Sequence, residues 1–73
     1  MNHYNYSAAL KINFGRNFNR LIKGKKRKEL MEHIGVSKGA IISWEKGERM
    51  PPTISLYRIA KFFNVSVESL LED

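Results

Sequence analysis

A chain of 73 residues, 42% hydrophobic and 27% charged, fits one globular domain with a single small core and excludes a disordered chain. With no cysteine, neither a disulfide framework nor a thiolate zinc site can staple so small a fold, so helix packing must suffice. Thirteen Lys and Arg against seven Asp and Glu give a net charge of +6, which favours a polyanionic partner, either nucleic acid or an anionic surface.

The first element to place is a tail. Residues 1–10 are polar and aromatic without period and read as a flexible N-terminal segment, leaving 11–73 as the domain. Phe14, Phe18, Leu21 and Ile22 then lay an apolar stripe on one face of a helix from about Ile12 to Lys23, which Gly24 can end. A short second helix, about Arg27 to Ile34, turns Leu30, Met31 and Ile34 inwards, and Gly35 supplies a left-handed turn. Ser37 caps a third helix from Lys38 to about Lys46, and Val36 before it can staple onto Ile41. Ile41 and Trp44 form that helix's core face, and Gly47 closes it.

Pro51 and Pro52 place a loop over Glu48 to Pro52. Leu56, Ile59, Ala60 and Phe63, at i, i+3, i+4 and i+7, are the cleanest amphipathic match in the chain and define a fourth helix. Asn64 is a turn residue. Ser66 caps a last short helix, with Val65 able to staple onto Leu70 and Glu68 suiting its dipole. No segment alternates apolar and polar residues over five positions, so no sheet is expected and the fold class is all-α, a compact five-helix domain. No apolar run approaches the roughly 18 residues of a membrane span, and Met1 to Lys11 lacks the apolar stretch of a secretion signal. The expectation is a soluble cytoplasmic protein without membrane contact.

Helices 2 and 3, separated by Gly35-Val36-Ser37, have the layout of a helix-turn-helix. Five of the six residues from Lys23 to Lys28 are basic, massed at its entrance, whereas Glu68, Glu72 and Asp73 make the C-terminal end acidic. The order and spacing of Leu30, Met31, Gly35, Ile41 and Trp44 resemble the DNA-binding domain of the lambdoid phage repressor and Cro family. The likeness extends to Phe14-Gly15 with Phe18 and Leu21, to Glu45-Lys46-Gly47, and to Pro51, Leu56, Ile59, Ala60, Phe63-Asn64-Val65-Ser66 and Leu70-Leu71. Some departures stand out. Met31 replaces the family's usual Ala, Lys26 and Arg27 replace its capping Thr or Ser and its Gln, and the connection from helix 1 to helix 2 is about two residues shorter. The family often pairs the helix 3 Glu with an Arg near the end of helix 1, but Ile22 stands there, so Glu45 is left to Arg20, to Lys23 or to solvent.

The resemblance implies a lambda-repressor-like fold and a sequence-specific regulator of transcription, a repressor of phage or mobile-element type, that binds double-stranded DNA with helix 3 in the major groove. By position it implies base reading by Arg27, Lys38, Gly39, Ile42 and Ser43, and phosphate contacts from Asn17, Lys26, Lys46 and Arg49. The chemistry of each differs. Lys38 can donate to guanine O6 and N7, Ser43 can donate or accept, and Ile42 can only meet an apolar group such as a thymine methyl. Gly39 reads nothing and costs its helix about 1 kcal/mol relative to Ala, which suits a close approach of backbone to DNA. Lys38 has a plainer reading as a solvated helix start, and Ile42 as cover for the rim of the core. The start of helix 2 offers unpaired N–H groups and a positive dipole end to a phosphate.

A single reading helix contacts only about four base pairs, so a homodimer on a pseudo-palindromic operator is expected. Tyr57, Phe62, Val67 and Leu71 either form its surface or finish the core. One rival is an antitoxin or anti-repressor of the same fold whose main role is binding a protein partner; a second is a basic adaptor that binds nucleic acid or anionic surfaces without sequence preference. His3 and His33 have no companion carboxylate or thiol, no serine sits in a nucleophile elbow and no phosphate loop occurs, so the chain does not read as an enzyme. No cofactor, metal or small-molecule ligand is expected.

Overall fold

The computed structural model describes residues 6–23 and 26–73, with the side chains of Tyr6, Ser7 and Lys26 outside the description. It is all-helical among these residues: α1 (Tyr6–Ile22), α2 (Lys26–Ile34), α3 (Lys38–Glu45), α4 (Thr53–Phe63) and α5 (Val67–Leu71). The five-helix order expected from periodicity is the observed one.

One boundary moves. Helix 1 begins at Tyr6, so the tail expected over residues 1–10 is helical in its second half, and residues 1–5 lie outside the described part. Ala8, Ala9 and Leu10 are strong helix formers, and a helix already nucleated by the packed segment at Phe14 and Phe18 propagates through them at little cost. Gly24, expected to end α1, is also outside the described residues.

The other boundaries follow local chemistry. Gly35 takes φ +80° and its N–H donates to Met31 O, ending α2. The Ser37 hydroxyl accepts from Ala40 N at 3.2 Å to begin α3. Gly47 takes φ +73° just beyond the Lys46 cap. Asn64, at φ 58°, ends α4 in the left-handed region, and Ser66 caps α5 through Ser69 N.

α1 packs on α3 and α5, α2 packs on α3 and α4, and α4 also meets α5. Phe14, Phe18, Leu30, Ile41, Ile59 and Leu70 are fully buried at the centre, with Trp44 beside them. Phe18 is the hub: Phe14 stacks on it at 5.2 Å between ring centroids, while Trp44 and Phe63 meet it edge-on at 6.1 and 6.5 Å. Burying rings from three helices against one residue fixes where α1, α3 and α4 stand relative to each other.

α5, only five residues long, is held from α1. Asn17 Nδ2 donates to Leu70 O at 2.9 Å and Glu72 O at 2.8 Å, and Asn13 Nδ2 donates to Leu71 O at 3.1 Å. Carbonyls that a helix end leaves unpaired are thereby satisfied by a neighbouring helix. Asn17 is 5% exposed and accepts a further hydrogen bond from Arg20 Nη2. This does not fit the phosphate contact expected of Asn17, because both ends of its amide are engaged within the chain.

Candidate nucleic-acid interface

α3 is inserted so that its two faces differ in every respect. Ile41 and Trp44 point into the core, whereas Lys38 and Gly39 are exposed and Ile42 and Ser43 half-buried. Lys38, Gly39, Ile42 and Lys46 follow i, i+1, i+4 and i+8, so they share the outward side of one helix. Lys46 and Arg49 are exposed just past its end, and Glu48 lies between them with its negative charge.

The depth of α3 is set by glycine. A Cβ on Gly15 of α1 would stand 3.0 Å from Gly47 Cα and N and 3.1 Å from Trp44 O, so a side chain there crowds the backbone where α1 lies against the end of α3. Asn19, one turn further along α1, donates to Glu45 O at 2.6 Å. Gly39 is the opposite case. A Cβ there would meet only Ser37 Oγ, at 3.8 Å, so nothing inside the protein requires glycine at that position.

At the entrance to α2 the structure assigns the partner of Glu45. It is neither Arg20 nor Lys23 but Arg27, whose Nε and Nη2 both donate to Glu45 Oε2, at 3.0 and 2.6 Å. Ile22, in the place where the resembling family carries its Arg, is buried at 4% exposure. Arg27, expected to reach the bases beside α3, thus has one edge of its guanidinium engaged within the protein.

Arg20, Lys23 and Arg27, with Asn19 and Ile22, line a cleft of about 470 Å³ between the end of α1 and the start of α2. Lys23 belongs to the basic cluster evident in the sequence, whereas Arg20 enters there only as a partner for Glu45. The signal that places them here is their spacing of three at the end of one helix, followed within four residues by Arg27 in the first turn of the next. Three guanidinium or ammonium groups around one opening suit an anion.

The four residues expected either to form a dimer surface or to finish the core differ in their packing. Phe62 is half-buried, with His33 at 5.3 Å and Phe63 at 5.0 Å between ring centroids, and Val67 and Leu71 pack against the core. Only Tyr57 of the four is exposed, with Lys61 Nζ 5.3 Å from its ring centroid. Ile54, one turn before it on α4, is exposed as well. Among the described residues no group of three or more His, Asp and Glu is placed to hold a metal ion, and no helix is long and apolar enough to cross a membrane.

The family model described as helix-turn-helix, of the Cro/C1 type, matches residues 19–70, from the last turn of α1 to α5. The chain belongs to the helix-turn-helix family. Within that family it is 37% identical over 62 residues to the HTH-type transcriptional activator BcrR of Enterococcus faecalis. The match takes in 82% of this chain but 30% of that relative, so the helix-turn-helix domain here spans less than a third of the relative's length. No solved structure gives a significant match. The helix-turn-helix of this chain is α2 and α3, with α1, α4 and α5 as the frame that presents α3.

Proposed function

We propose that this helix-turn-helix domain is a sequence-specific, double-stranded-DNA-binding regulator of transcription that places α3 in the major groove and acts without catalysis. The observation that carries the reading is the two-faced α3 of a family member. Its inner side is spent on the core, while Lys38, Gly39, Ile42 and Ser43 keep open surface at the end of the helix that enters the groove first in this motif. Lys38 supplies a donor for guanine, Ser43 a donor or acceptor, Ile42 a contact for a thymine methyl, and Gly39 a close approach of backbone. Lys46 and Arg49, exposed beyond α3, and Lys26 at the start of α2 take phosphates, joined by Arg20 and Lys23 at the cleft. These cations set register and affinity while the α3 face sets sequence.

One α3 spans too few base pairs for regulation, so the proposal includes two copies on a pseudo-palindromic operator, with half-sites about one helical turn apart. The resemblance to phage repressors favours repression, whereas the Enterococcus relative is named an activator. Both signs of regulation share the DNA-binding step, and the reading commits to that step.

Selection from a pool of random duplexes, with sequencing of the bound fraction, tests it. An enriched motif with two related halves is the expected result. A bound fraction as random as the input would refute sequence-specific binding.

A further inference from the structure

We infer that Arg27 is a positioning residue of the reading helix: through Glu45 it fixes the C-terminal end of α3. The inference rests on the DNA-binding reading above. Glu45 is the last residue of α3 and is tied from two sides, by Asn19 of α1 at its carbonyl and by Arg27 of α2 at its carboxylate. Its side chain is 14% exposed against 41% for Arg27, so the carboxylate is the enclosed partner and the guanidinium reaches in to it. With Nε and Nη2 both on Oε2, the side-on edge of the guanidinium is spent on Glu45, which fixes the arginine against the end of α3.

The consequence lies in geometry. α3 has eight residues and is about 12 Å long at 1.5 Å per residue. Ser37 holds its first turn and the Asn19–Glu45–Arg27 set holds its last, so the tilt of the helix is determined at both ends. Base contacts are directional, and a change of tilt displaces Lys38, Ile42 and Ser43 together. Ile22 leaves α1 without a cation for Glu45 at that position, and Arg27 provides one from the facing helix.

The test compares affinities for the selected duplex and for a random duplex of equal length, with folding followed by far-UV circular dichroism. Glu45→Gln removes a negative charge, which by itself tightens binding to every duplex equally. On the inference it also loosens α3, and the selected-to-random ratio falls about threefold to tenfold. The charge exchange, Arg27→Glu with Glu45→Arg, restores more of the ratio than Arg27→Glu alone, because the tie is remade although the arginine has moved. An unchanged ratio in Glu45→Gln overturns the inference, as does a folded exchange variant no better than Arg27→Glu. A wild-type protein that binds both duplexes equally would instead strike down the DNA-reading proposal itself.

Discussion

The inner and outer sides of α3 are built to different standards. Inside, Ile41 and Trp44 are buried against aromatic rings, Gly47 touches α1 and the last residue is tied by Asn19 and Arg27. Outside, a lysine, a glycine, an isoleucine and a serine stand with few ties to the rest of the chain. Residues inside are dictated by the fold, and a different choice would cost stability. Residues outside are not, so their identities are informative about something other than folding. Gly39 makes the case most sharply, since glycine there weakens the helix and relieves no clash.

The contrast can be broken from the inside first. Phe18→Ala removes the ring on which Phe14, Trp44 and Phe63 converge and should cost about 3 to 5 kcal/mol. In a domain this small that is most of the stability, and thermal unfolding should show loss of the cooperative transition near room temperature. Asn17→Ala, which strands the carbonyls of Leu70 and Glu72, should destabilise by about 1 to 3 kcal/mol while leaving DNA affinity at low temperature unchanged. A drop in affinity for all duplexes without a drop in melting temperature would return Asn17 to the phosphate contacts. Gly15→Ala should cost about 1 to 2 kcal/mol net, the strain of overpacking outweighing the gain in helix propensity. A stabilised Gly15→Ala would show that α1 and α3 can separate without penalty.

From the outside the sign reverses. Gly39→Ala meets no obstacle and should raise stability by up to about 1 kcal/mol in chemical denaturation, while its methyl group lowers affinity for the selected duplex. A variant that is both more stable and equally good at binding would remove close approach as the reason for Gly39.

Much of the fold could be read from the sequence because its punctuation is local. Gly35, Ser37, Gly47, Asn64 and Ser66 each settle a helix end within three or four residues, and each takes the conformation or hydrogen bond its chemistry suggests. The start of α1 was not readable, because Tyr6 to Leu10 carries no period and becomes helical by continuation from a packed segment. Long-range partners were hidden for another reason. Asn17 finds its carbonyls 53 and 55 residues away, and Arg27 finds Glu45 at a separation of 18, distances at which spacing along one helix says nothing. The site shows the same division. That Lys38, Gly39 and Lys46 belong to the candidate site came from the family resemblance, whereas the engagement of Arg27 and the packing of Phe62, Val67 and Leu71 against the core depended on how helices meet.

The central claim is that the outer side of α3 reads base edges, and Lys38 is its most informative side chain. The direct measurement is the ratio of affinities for the selected and the random duplex, at one fixed physiological salt concentration, for the wild type and for Lys38→Ala. A wild-type ratio well above one is expected, falling by about fivefold to 150-fold (about 1 to 3 kcal/mol) in the variant through weaker binding to the selected duplex. A ratio that is the same in both proteins, with binding to the two duplexes weakened equally, would contradict it.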